Sequence, residues 1–195
     1  MTNEKRLTQI APDVNQVYTL DDLRVLYGEY SDSGLYKLVN KFISRGILTK
    51  MVRGVYAGEG ADLFRVCQRL HPEAYLTCAT ALAKHLLIGS IPQKQVYAAR
   101  VGRPRRYQTP LGAVNVFSLK PELYFGFKIE EGLRIAEPEK AYLDAWYFTF
   151  KGAKFSFDLC SDVAREDLNR KRLDAYLALY DRRFVHFFRN KGGLE

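Results

Sequence analysis

The chain has 195 residues, 47% of them apolar and 27% charged, a balance that supplies a real core and excludes a disordered polar chain or a low-complexity fibre. Its formal net charge of +8 suits polyanionic partners. No run approaches the roughly 18 apolar residues of a membrane span, and the N-terminus MTNEKRLTQIAPDVNQ lacks an apolar leader segment, so a cytoplasmic protein with no membrane partner is expected.

Leu7 and Ile10 begin an apolar helical pattern that Pro12 interrupts. Thr19 then serves as an N-cap, with Asp21 and Asp22 in the first turn, where the helix dipole favours acids; Gly28 ends this second helix. Ser31 and Asp32 cap a third, in which Leu35, Leu38, Val39, Phe42 and Ile43 recur at spacings of three and four and make one stripe. That stripe leaves Ser33, Tyr36, Lys37, Asn40, Lys41 and Ser44 on the outer face. After Gly46 come two short β-prone stretches around Arg53-Gly54, which predict a hairpin. Three helices and a hairpin in this order predict a winged helix-turn-helix, whose helix before the wing enters the major groove. Its boundary is expected near Gly58-Glu59-Gly60, giving domains 1–58 and 59–195.

Further on, ADLFRVCQRL and TCATALAKHLLI predict helices separated at His71-Pro72. From Gln95 the pattern turns to strands: QVYAARVG, a loop or hairpin tip in RPRRYQTPLG, AVNVFSLK, then LYFGFKI. A helix starts at Glu137-Pro138-Glu139, with proline in a first-turn position where its missing N–H costs nothing. Residues 161 to 190 are expected to be helical again. The fold class is therefore α+β: an N-terminal winged helix followed by a mixed α/β C-terminal domain with antiparallel strands and a helical tail.

The charge is unevenly spread. No acid lies between Glu73 and Glu122, whereas Lys84, Lys94, Arg100, Arg103, Arg105, Arg106 and Lys120 all do, a one-sign field that attracts polyanions. Lys41, Lys50 and Arg53 are expected to touch phosphates, and Ser33, Tyr36, Lys37 and Asn40 to reach base edges, since asparagine pairs bidentately with adenine and lysine donates to guanine. Arg103, Arg105 and Arg106, around Pro104, are expected to sit together at a hairpin tip and contact phosphate or an acidic surface.

Against catalysis, the chain has no P-loop, no GxGxxG after a strand, no HExxH and no GxSxG. Glu137, Glu139, Lys140 and Asp144 are the residues a metal-dependent nuclease would use, but the acids equally suit a helix start, and Lys140 with Asp144 makes an i,i+4 pair. Three cysteines, Cys67, Cys78 and Cys160, have no CxxC spacing and fit reduced thiols. Cys67, His71, Cys78 and His85 could suggest zinc, but Pro72 breaks the helix that would align them. No catalytic residue, metal or cofactor is expected. The aromatic run around Trp146 suits core packing better than base stacking.

The stretches VYTLDDL, LVNKFISRGILTKMVRGVYA, LTCATALAKHLLI and AEPEKAYLDAWY, in this order over roughly residues 15 to 150, resemble the AbiEi family of antitoxins and related transcriptional regulators. The resemblance implies a type IV toxin–antitoxin pair acting in abortive infection. In such pairs the winged helix represses its own operon by binding double-stranded promoter DNA, here expected to carry inverted repeats, as a monomer or weak dimer that pairs on DNA. The C-terminal domain would serve antitoxicity and help DNA binding, against a nucleotidyltransferase-like toxin encoded alongside. Leu86-Leu87 departs from the family's frequent Gly-Leu at that position. A protein-interaction module without DNA binding is the alternative outside enzymes.

Overall fold

The computed structural model describes residues 2–10, 16–89 and 94–191, without the side chain of Ile10. The break expected at Pro12 lies outside the described residues. The chain is α+β and divides into two compact units, Met1–Pro72 with Tyr107–Ala113, and Glu73–Arg106 with Val114–Glu195.

The first unit runs α1 (Asn3–Ile10), β1 (Val17–Thr19), α2 (Leu20–Leu26), α3 (Asp32–Ser44), β2 (Thr49–Val52), β3 (Val55–Ala57) and α4 (Leu63–Leu70). Thr19 caps α2 with a complete capping box: its hydroxyl accepts the Asp22 N–H at 3.2 Å while Asp22 accepts the Thr19 N–H at 2.7 Å. Ser31 caps α3, accepting the Gly34 N–H at 3.2 Å. The α3 stripe buries Leu35, Leu38, Val39 and Phe42 against Leu7 of α1, Tyr18 of β1, and Leu23 and Tyr27, with Ile43 half-buried beside them. The Tyr27 hydroxyl donates to the Asn3 carbonyl at 2.6 Å and pins α1; burial pushes this phenol up to about 12. The strands form an antiparallel sheet in the order β1-β3-β2, with Tyr18 opposite Tyr56 and Lys50 opposite Tyr56 on its other side. Arg53 and Gly54 turn the hairpin, Gly54 taking φ +79°. Beyond Gly60, α4 buries Val66 against Val17, Met51, Val55 and Ala57, so the unit continues past the glycines to Pro72.

The second unit is built on a sheet of order β6-β7-β5-β4-β9-β8. Its elements are β4 (Tyr75–Leu76), α5 (Cys78–Lys84), β5 (Gln95–Val101), β6 (Arg105–Thr109), β7 (Gly112–Leu119), β8 (Phe127–Glu130), β9 (Leu133–Ala136), α6 (Pro138–Phe150), α7 (Arg170–Leu177) and α8 (Arg182–Asn190); Tyr107–Ala113 of β6 and β7 cluster with the first unit. β4 runs antiparallel to β5 and parallel to β9, so beside the expected antiparallel strands the sheet holds a parallel pair and is mixed. Every residue of α6 from Glu139 to Phe148 is buried, among them Tyr142, Trp146, Tyr147 and Phe148. A helix apolar nearly all round is a central one.

Three sequence expectations change here. LYFGFKI is a strand only from Phe127: a turn of 3-10 helix occupies Pro121–Leu123, and Gly126 takes φ +70° where a Cβ would meet Lys140 and Tyr176 at 3.1 Å. The tail is not helical from 161. The Asp158 carboxylate takes the N–H groups of Cys160 and Ser161 at 2.7 and 2.9 Å, and Val163 bridges to Ile88, which holds this stretch irregular until Asn169 caps α7.

The third change is at α5, which ends at Lys84 rather than 88. Leu87 donates to the Leu82 carbonyl at 2.9 Å, and Leu86 sits at φ +59° with 85% of its surface exposed, the left-handed position of a helix-ending motif that favours glycine. Leu86→Gly should therefore raise stability by about 0.5–1 kcal/mol, the relief of strain exceeding the added freedom of the unfolded chain. Urea unfolding checks this; a lower midpoint would show that the leucine is held by something its exposure does not reveal.

Candidate nucleic-acid interface

In the first unit, α3 presents Ser33, Tyr36, Lys37, Asn40 and Lys41 to solvent, and all five are exposed. Positions 33, 36, 37, 40, 41 and 44 share one side of a helix, opposite the buried stripe. Tyr56 of β3 is buried in one cluster with the α3 stripe, and burial first, then Tyr36, push its phenol up. Lys50 is exposed on β2 and Arg53 is exposed in the turn. The helix face and the hairpin cations thus belong to one packed unit.

The other arginines of this unit are ion-paired, Arg65 with Asp62 at 3.3 Å, while Lys5 of α1 is exposed without an ion-pair partner among the described residues. Arg6 pairs with Glu29, Arg45 with Glu4 at 2.5 Å, Arg69 with Asp22, and Arg24 with Asp21 at 2.9 Å and Asp32 at 3.3 Å. Among the described residues, Lys37, Lys41, Lys50 and Arg53 have no ion-pair partner. The hydrogen bonds and burial on Asp22 act in opposite senses: burial raises its carboxyl, but Arg69 and Thr19 outweigh it and hold the group below the usual carboxylate range.

In the second unit, Arg103 lies in the connection from β5 to β6, and Arg105 and Arg106 begin β6. All three are exposed and lack an ion-pair partner among the described residues. They do not form the expected hairpin tip. Gly102, at φ +121°, breaks the chain before them, and the reversal falls instead at Pro110-Leu111, where the Thr109 hydroxyl accepts the Gly112 N–H at 3.1 Å and donates to the Gly112 carbonyl at 2.8 Å. Consecutive strand residues leave opposite faces, so Arg105 and Arg106 diverge rather than cluster.

Glu137, Glu139, Lys140 and Asp144 are committed to internal bonds. Lys140 and Asp144 are ion-paired with both side chains 0% exposed. Asp144 also accepts from Tyr75 at 2.8 Å and Thr77 at 2.7 Å, and Lys140 donates to the Tyr180 hydroxyl at 3.0 Å. Glu139 takes the Asn169 N–H at 2.7 Å and Arg172 at 3.3 Å. Burial would raise the Glu137 carboxyl, but Tyr176, Lys128 and Arg172 together hold it below its usual range. The i,i+4 pair was legible in the sequence; its complete burial was not, because the same spacing is common on solvated helix faces. Among the described residues no cluster of three His, Cys, Asp or Glu side chains is arranged to hold a metal ion.

The histidines are likewise bonded within the fold. His71 shares a hydrogen bond with Tyr107 at 2.9 Å, His85 donates to the Ala136 carbonyl at 2.8 Å, and His186 bonds Asn190 at 2.8 Å.

No family model matches the chain, and no curated protein is similar to it. Among solved structures, it is similar in fold to the RV2827C protein from Mycobacterium tuberculosis, with a TM-score of 0.55 over 94% of this chain and 69% of that one, at 14% sequence identity. The likeness is one of fold.

Proposed function

We propose that the chain is a DNA-binding regulator whose first unit is a winged helix-turn-helix, that it represses its own operon, and that it acts as the antitoxin of a toxin–antitoxin pair. The observation that carries the DNA reading is the exposed polar face of α3, with Lys37 and Lys41 unpaired among the described residues, packed in one unit with a hairpin that adds Lys50 and Arg53. The order helix, strand, helix, helix, strand, strand, with β1 completing the sheet, suits this module. In this reading α3 lies in the major groove, Ser33, Tyr36, Lys37 and Asn40 meet base edges, and Lys41, Lys50 and Arg53 meet phosphates. Arg103, Arg105 and Arg106 lie in the second unit, and because Arg105 and Arg106 leave opposite faces of β6 they do not meet phosphate as one cluster. The antitoxin role, with a nucleotidyltransferase-like toxin as partner, rests on the resemblance of the sequence to the AbiEi family.

Alanine at both Lys37 and Asn40 should weaken binding to the chain's own promoter by about 1–3 kcal/mol for each side chain that had been reading a base edge, while binding to random duplex weakens less. Mobility-shift titration at fixed salt measures both. Equal affinity of variant and parent for the promoter would remove α3 from the interface.

A further inference from the structure

We propose that β8 is a self-pairing edge, through which two copies of the chain pair antiparallel and join the sheets of their second units into one continuous sheet. β8 and β6 are the two ends of the six-stranded sheet. In β8, Lys128, Ile129 and Glu130 are all exposed, Ile129 by 67%, so nothing among the described residues covers this edge.

The register decides which backbone groups the edge offers. Phe127 pairs with Ala136, Lys128 with Ile135, Ile129 with Arg134 and Glu130 with Leu133, and the Glu137 N–H donates to the Gly126 carbonyl at 2.8 Å. Hydrogen-bonded pairs alternate along an antiparallel ladder, so Gly126, Lys128 and Glu130 direct their N–H and C=O groups to β9. Phe127 and Ile129 therefore direct theirs outward, to the open edge.

The side chains select the occupant. With a two-fold axis at Ile129, that residue meets its own copy and exchanges two backbone hydrogen bonds with it. Lys128 then stands directly opposite the second copy's Glu130, and Glu130 opposite the second copy's Lys128. The Lys128 ammonium lies 3.1 Å from Glu137, yet 64% of its side chain is exposed, which leaves it available to a second carboxylate. The β6 edge lacks this symmetry: Arg105 and Arg106 repel a copy of themselves, a common way to blunt an edge. One strand pair of this length is a small interface, and the dimer it makes is weak and concentration-dependent.

The test uses the full chain without DNA, so its outcome is independent of the regulatory reading. Sedimentation equilibrium up to millimolar concentration should show reversible dimers. Lys128→Glu alone, or Glu130→Lys alone, places like charges opposite each other twice and should weaken self-association at least about tenfold. A mixture of these two variants restores both opposite-charge pairs and should dimerise as the parent does. Because Lys128→Glu also sets an acid beside Glu137, Ile129→Pro is the second route: it removes only an outward N–H, which an edge strand tolerates, and should give a folded monomer by circular dichroism. A parent that stays monomeric, dimers indifferent to the single reversals, or a mixture that does not recover association would each overturn the proposal.

Discussion

Asp144→Ala is expected to cost about 3–5 kcal/mol of stability, because it leaves the Lys140 ammonium buried without its counter-charge. Lys140 is fully enclosed, with the Phe125 ring 4.8 Å, the Tyr180 ring 5.5 Å and the Tyr75 ring 5.7 Å from its nitrogen. Burial already lowers the proton affinity of this lysine, and Asp144 is what opposes that effect. Burial, and then the charge of Asp144, push the Tyr75 and Tyr180 phenols well above their usual value, so both stay protonated donors. In the variant the unfolded chain holds the lysine proton more tightly than the folded one. Its deficit should therefore shrink as pH rises from the depressed folded value towards 10.5, the ordinary value for lysine. Urea unfolding across that range measures both effects. Replacing the pair together, Lys140→Met with Asp144→Leu, should cost less than Asp144→Ala alone, since no charge is left unpaired. If the single replacement proves no worse than the double, the stability does not reside in the ion pair.

Phe184→Ala in α8 should cost a comparable ~3–5 kcal/mol, the usual loss for a large aromatic removed from a close-packed core. Phe184 is 0% exposed, and its ring centre lies 4.7 Å from that of Tyr180, 5.4 Å from Tyr147, 5.9 Å from Phe150 and 6.0 Å from Phe188. Arg182 and Arg183, exposed on the same helix, serve as controls whose alanine variants should leave the urea midpoint near that of the parent. A variant at Phe184 with the parent's midpoint would make α8 an appendage rather than part of the core.

What could be read in the sequence was whatever leaves a periodic or capping signal. The Thr19 and Ser31 caps, the α3 stripe and the Arg53-Gly54 reversal carry such signals, and so the outward face of α3 was legible with them. β1 spans three residues and β4 two, too short to show alternation, yet β1 completes the first sheet and β4 makes the second one mixed. The end of α5 was hidden because a leucine holds a position where glycine would have announced it. The separation of Arg105 from Arg106 was hidden for a different reason: a cluster in sequence says nothing of faces until the strand start is known. In the tail, Asp158 gives its carboxylate to backbone N–H groups, a choice that residue type permits but does not dictate.

Tyr107–Ala113 packs with the first unit, although the chain that leaves the ribosome before it includes part of the second. When Pro72 emerges, the strands and helices that precede it are present, but His71 still lacks Tyr107, the partner to which it is hydrogen-bonded. The unit that begins first cannot be finished until Ala113 has been made, by which time β5 of the second unit is already out. The two units are therefore completed in an interleaved order rather than one after the other. A chain interrupted between Pro72 and Tyr107 is expected to leave the first unit without a segment that it holds when complete.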